Sequence, residues 1–180
     1  VKVAFTTSGD DLSAPFESRF GRAPKFLVYD METDSFSVID NRQNNHPIAT
    51  PKIQKTARAL LGALGCPDDE LSIVLVDDTQ IARLNQEHLN HQGPTNVISF
   101  PMREGDFGDI NPQVIGDVVI SMDTCAREAR QAEIAMEERF NQLLVHGILH
   151  LFGFDHTRSE AQALEMEAKS DALMAVLKEA

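Results

Sequence analysis

One stretch, from Asn141 to His156 (NQLLVHGILHLFGFDH), constrains the fold more than any other part of the chain. Its apolar residues recur on every side of a helix, which is typical of a helix buried in a core. His146 and His150 are four residues apart and therefore project from one face of that helix, one turn apart. Gly153 suits the left-handed residue that ends many helices, and the turn after it can carry His156 back toward the other two. The stretch therefore predicts a buried helix that ends beside three histidines.

The three histidines suggest a metal centre. A histidine pair on one helix face often has no function, but buried imidazoles need polar partners, and the third histidine favours a metal ion. Three protein ligands leave the fourth position of tetrahedral zinc open to water, which is typical of catalytic sites. Asp155 has two open roles, since it could orient a ligand ring or could simply be a turn residue. The pattern predicts a hydrolytic metal centre at His146, His150 and His156.

The same residues carry a family resemblance. HGILHLFGFDH resembles the HGxLHLxGxDH signature of the YbeY family, the bacterial single-strand-specific endoribonucleases of ribosomal RNA maturation. PTNVISFP (94–101) and IGDVVIS (115–121) add to the likeness, which covers about residues 39–180. The resemblance implies that the three histidines bind one zinc ion and that metal-bound water attacks the phosphodiester. It also implies single-stranded or ribosomal RNA and the ribosome as partners.

The sequence departs from this family at one position. The family commonly has an arginine before PTNVxSF that is thought to contact RNA, and Leu89 stands there in HLNHQGPT. His91 or Arg103 could contact phosphate instead, although a plain loop role is open for each. Two other functions stay open for a histidine cluster of this kind, a metallopeptidase and a non-catalytic metal-binding adaptor. The metallopeptidase motif HExxH needs a glutamate general base where Gly147 stands.

The first part of the chain looks different from the rest. VKVAFTTS, KFLVYDM and SFSVID each predict a strand, and together they predict a β-meander. SRFGRAPKFLVYD and FSVIDN resemble the start of the dinitrogenase iron–molybdenum cofactor-binding family, over about residues 1–44. The chain thus looks like a fusion. Because so short a segment cannot bury a core, we interpret residues 1–38 as an extension that shares its last strand with the sheet of a catalytic domain at 39–180.

From Thr50 onward the pattern alternates helix and strand. Helices are predicted near 50–64, 78–90 and 123–133, from about 137, and after a capping box at Ser159 and Gln162. Strands are predicted at 70–78, 97–100 and 115–122. The fold class is therefore α+β, a small mixed sheet covered by helices with the N-terminal meander added to the sheet.

Composition limits the partners and the compartment. The net charge of −12 opposes non-specific binding to nucleic acid, so an RNA substrate would need a local basic patch, and DNA is not expected as a partner. Cys66 and Cys125 belong to no metal or redox motif and suit a reducing compartment, which favours the cytoplasm. No apolar run has the length of a membrane span, and the start of the chain lacks a signal-peptide pattern.

Overall fold

The computed structural model describes residues 2–7, 9–11, 13–14, 25–30, 34–40, 48, 50–103, 111–156 and 159–179. The chain divides into two compact units, Val1–His46 and Pro47–Ala180. Within the described ranges, no helix combines the length and the apolarity that crossing a membrane requires.

The first unit is a meander of three antiparallel strands, as the sequence predicts. Strands β1 (Lys2–Thr7), β2 (Lys25–Asp30) and β3 (Ser35–Asp40) lie in the order β1-β2-β3. One expectation needs correction, because β3 pairs with β2 in this separate sheet and not with the strands of the second unit. Consecutive strands joined by a short turn usually pair with each other, and this pairing makes β3 an edge strand of the meander.

The described residues of the second unit form three strands and five helices. In chain order they are α1 (Thr50–Ala63), β4 (Glu70–Val76), α2 (Asp78–Leu89), β5 (Val97–Pro101), β6 (Val114–Ser121), α3 (Met122–Gln131), α4 (Met136–Leu151) and α5 (Glu160–Glu179). The sheet order is β4-β6-β5, with β4 parallel and β5 antiparallel to β6. The predicted α+β class with a small mixed sheet is confirmed.

The central strand β6 runs directly into α3 without a loop. Ser121 ends β6 and is also the N-cap of α3, since its extended backbone lets Oγ accept a hydrogen bond from the Thr124 N–H at 3.2 Å. Asp123, in the first turn of α3, is not its cap. Asp123 instead accepts a hydrogen bond from the Asp78 N–H at 3.1 Å, at the first residue of α2. The two helix starts are therefore tied to the same end of β6.

The core of the second unit forms around α4. This helix packs against β5, β6, α3 and α5. Its buried residues are Phe140, Leu143, Leu144, Val145, Gly147, Ile148, Leu149 and Leu151. The expectation of a helix buried on most sides is confirmed, and the packing fixes α4 as the rigid element that presents the histidines.

Candidate metal centre

Helix α4 places His146 and His150 one turn apart on the same face. Both side chains are partly buried, and their Nε2 atoms lie 3.1 Å apart. The two ring centroids are 4.6 Å apart and the ring planes are nearly perpendicular, at 80°. Spacing by four residues on a rigid helix is sufficient to produce this convergence.

The turn after α4 brings the third histidine to the first two. Gly153 adopts a φ of 81°, the left-handed conformation that glycine reaches without strain, and its N–H donates to the His150 carbonyl at 3.0 Å. The ring centroid of His156 lies 5.2 Å from that of His146 and 5.4 Å from that of His150. One ligand atom from each histidine lies within 4.8 Å of the others. The cluster can hold one metal ion, and His156 forms its exposed side.

The environment keeps the buried imidazoles neutral. Burial lowers the pKa of His146 to about 4, and the charges of His150, His156 and Arg139 act in the same direction. Burial likewise lowers the pKa of His150. A neutral imidazole has a free nitrogen lone pair, which is the form that binds a metal ion. These two residues are therefore in the ligand-competent state at neutral pH.

Two neighbours act on His150 in the opposite direction. The carboxylate of Asp155 and a hydrogen bond to the Phe154 backbone both favour its charged form, although burial outweighs them. A backbone partner on the ring fixes its orientation and tautomer, which is the role that the sequence analysis considered for Asp155. Asp155 lies close enough to influence His150 electrostatically, and its orienting role stays a prediction.

Gly147, between the two helical histidines, faces the sheet. A Cβ atom at this position would lie 2.6 Å from Val118 Cγ1 and 3.1 Å from Val97 Cγ2. The Ser99 hydroxyl donates a hydrogen bond to the Gly147 carbonyl at 2.8 Å, which also holds the helix against β5. A glutamate side chain does not fit here. This geometry opposes the metallopeptidase arrangement, which needs a glutamate at this position.

A polar network beside His146 was not singled out in the sequence analysis. The Arg139 Nε donates to Glu128 Oε2 at 2.9 Å, and Asn96 Nδ2 donates to Glu128 Oε1 at 3.1 Å. A second guanidinium nitrogen of Arg139 donates to Gln142 Oε1 at 2.8 Å. The available signal was that Arg139, Gln142 and His146 recur at three and four residues and therefore lie on one face of the predicted helix.

The other predicted RNA contacts lie outside the histidine cluster. Leu89 is 46% exposed at the end of α2, and His91 is exposed shortly after it. The Arg103 guanidinium pairs with the Asp69 carboxylate at 2.5 Å, and both side chains are mostly buried. This pairing favours a structural role for Arg103 over contact with phosphate. The role of His91 stays a prediction.

Comparisons with known proteins match this architecture. A family model described as "Endoribonuclease YbeY" matches residues 38–178, and one described as "Dinitrogenase iron-molybdenum cofactor" matches residues 1–66. Over 140 residues the chain is 56% identical to "Endoribonuclease YbeY" of Geobacter sulfurreducens and 53% identical to that of Geobacter metallireducens. Each alignment covers 77% of this chain and 93% of the relative. The solution structure of TM1509 from Thermotoga maritima is similar in fold, with a TM-score of 0.52 and 24% identity over 73% of this chain and 85% of that one.

Proposed function

The chain belongs to the YbeY endoribonuclease family, and we propose that it cleaves single-stranded RNA with a zinc ion held by His146, His150 and His156. Family membership makes it a nuclease, that is, a hydrolase. The observation that supports the metal most directly is the convergence of three imidazoles, two of them held neutral by burial. We further propose that its RNA substrate is ribosomal RNA in the course of maturation, on or near the ribosome.

The chemistry of the donor set fits zinc. Imidazole nitrogens suit zinc among other transition metals, and zinc–nitrogen distances of about 2.0–2.1 Å put two tetrahedral ligands about 3.3 Å apart. The 3.1 Å between the Nε2 atoms of His146 and His150 is close to that separation. Among the described residues, the cluster is made of three histidines without a fourth protein ligand. Such a set supports one open coordination position.

The residues of the chain then have distinct tasks. When bound, zinc would lower the pKa of water toward about 7 and polarise a phosphate oxygen. His146 and His150 hold their lone pairs toward one point because α4 is rigid, and the backbone of Phe154 restrains the His150 ring. His156 lies on the exposed turn, where substrate can approach. We propose that Asp155 supports this arrangement through its charge beside His150.

Two alternatives are less well supported. A metallopeptidase would need a general base where Gly147 is pressed against the sheet. A metal-binding adaptor would not account for membership in a family of nucleases across residues 38–178. We propose that activity resides in about residues 39–180 and that residues 1–38 form an extension of that catalytic part. We also propose a cytoplasmic location, because the free cysteines suit a reducing compartment.

The test measures metal content and hydrolysis in the same preparations. We expect the parent to bind one zinc ion per chain, His150→Ala to lose it, and His91→Ala, an exposed histidine outside the cluster, to keep it. The parent should cleave single-stranded RNA and not casein, and His146→Ala should lose the RNA cleavage. One equivalent of zinc in His150→Ala would contradict the ligand assignment. RNA cleavage that persisted in His146→Ala would contradict the metal-dependent reaction.

A further inference from the structure

A cleft lies between α4 and α5, and His146 is one of the residues that line it. Its volume is about 470 Å³, which is within the ~300–1,000 Å³ of small-molecule sites. His146 lines one end, Leu143 and Met174 contribute apolar surface, and Asn96, Gln142 and Ser170 contribute polar groups. The cleft therefore combines apolar and polar surface next to the histidine cluster.

The amides of Asn96 and Gln142 are fixed by the network around Glu128. Asn96 uses its Nδ2 to donate to Glu128, which leaves its Oδ1 as an acceptor. Gln142 uses its Oε1 to accept from Arg139 at 2.8 Å, which leaves its Nε2 as a donor. Asn96 and Gln142 both line the cleft, and each has one amide atom that its bond within this network does not use.

The charges of the cleft argue against a phosphate as its occupant. The lining contains two acids, Glu138 and Asp171, and two bases, Arg139 and Lys178. Arg139 is further neutralised by Glu128, to which its guanidinium donates at 2.9 Å. A phosphate group is bound mainly by uncompensated cations, whereas a neutral heterocycle needs apolar surface and paired hydrogen-bonding groups.

We propose that this cleft binds the nucleobase next to the scissile phosphodiester of the RNA substrate, with Gln142 donating to its edge and Asn96 accepting from it. The proposal rests on the endoribonuclease function proposed above. Single-stranded RNA exposes unstacked bases whose edges carry such donors and acceptors, and duplex RNA does not. A base held here, beside His146, places the adjoining phosphate at the metal centre. The cleft would thereby favour single strands and position the chain for cleavage.

The first test compares two substrates and three proteins. The substrates are a short single-stranded RNA and the same RNA with an abasic residue next to the mapped cleavage position. Gln142→Met keeps the length of the side chain and removes the amide, while Gln131→Met, exposed in α3 outside the cleft, is the matched control. Ser170→Ala changes the α5 wall and serves if Gln142→Met does not fold.

On intact RNA, Gln142→Met is expected to raise KM about 3- to 10-fold with kcat little changed, the range that one neutral hydrogen bond supports. On the abasic RNA the parent and Gln142→Met should have similar KM values, because the base that the Gln142 amide contacts is absent. The proposal would be overturned if Gln142→Met raised KM by the same factor on both substrates. It would also be overturned if Gln142→Met behaved like Gln131→Met.

The second test needs no cleavage. Adenosine, cytidine, guanosine and uridine, and separately ribose 5-phosphate, are titrated into the parent while the side-chain amide signal of Gln142 is followed by NMR. Nucleosides should shift the signal and ribose 5-phosphate should not, and a shift by ribose 5-phosphate would show a phosphate or sugar site instead. If nucleosides shift the signal in a protein that cleaves no RNA, binding of a base in the cleft is supported and the proposed nuclease function is contradicted. If the RNA is cleaved and no nucleoside shifts the signal, base binding in the cleft is contradicted and the proposed nuclease function is not.

Discussion

Replacing Gly147 with alanine would test how tightly the metal helix is held against the sheet. The new methyl group would lie 2.6 Å from Val118 Cγ1 and 3.2 Å from Ser99 Oγ, so the buried Val118 side chain must shift, and β6 or α4 must move where that side chain cannot rotate. Overpacking of this kind costs about 1–3 kcal/mol, while glycine to alanine in a helix gains at most ~1 kcal/mol. We expect Gly147→Ala to be less stable than the parent or equal to it, and to bind zinc more weakly because α4 is displaced.

A second glycine supplies the control. Gly62 lies in the last turn of α1, and a Cβ atom there would meet no heavy atom within 4 Å. Gly62→Ala therefore gains helix propensity without overpacking, and the difference between the two variants measures the overpacking itself, about 1–3 kcal/mol. Urea and thermal unfolding of the metal-free proteins measure it, with about 2–4 °C of Tm for each kcal/mol. If Gly147→Ala proved as stable as Gly62→Ala, the close approach of α4 to β6 would be refuted.

Two further predictions concern pH and salt. The metal-free protein should lose stability as the pH falls from about 6.5 to about 4. In this range His146 binds a proton in the unfolded chain but not in the folded protein, where burial lowers its pKa to about 4. His146→Ala should show a shallower fall, and an identical pH profile would contradict the lowered pKa. Leu89→Arg should raise kcat/KM for RNA several-fold, and by a smaller factor at high salt, because each added contact with phosphate releases a counterion and so steepens the salt dependence of binding. Leu164→Arg, at another exposed leucine, controls for added charge, and an equal gain in the two variants would contradict a specific contact at position 89.

The parts of the site that lie on one helix and its turn could be predicted from the sequence. The spacing of His146 and His150 fixes their geometry once the helix forms, and the apolar residues around them guarantee that it is buried. His156 needs only the left-handed residue Gly153 to return to them. Each of these steps depends on neighbours within one or two turns, which is the range over which sequence patterns are informative.

The network around Glu128 could not be predicted in the same way. Asn96 precedes β5, Glu128 belongs to α3 and Arg139 belongs to α4, so their contact depends on how three elements pack. The predicted cap Ser159 does accept a hydrogen bond from the Gln162 N–H, at 3.2 Å, whereas the cap of α3 depends on where β6 ends. Asp123 is a good cap residue by type, but β6 continues to Ser121 and leaves that residue with the extended backbone that a cap requires.

An acidic chain that cleaves RNA needs a means of capture that does not depend on its overall charge. With a net charge of −12, long-range attraction to phosphate is not available, and Arg139 and Arg103 are each paired with a carboxylate. The proposed site would act at short range, through a divalent ion at the three histidines, which would supply positive charge at the scissile phosphate, and through a nearly neutral cleft beside it for a base. Both lie along α4, within one or two turns of His146. Recognition of this kind would require an unpaired base next to the metal, so the proposed preference for single strands would follow from the short reach of the site rather than from a separate device for excluding duplexes.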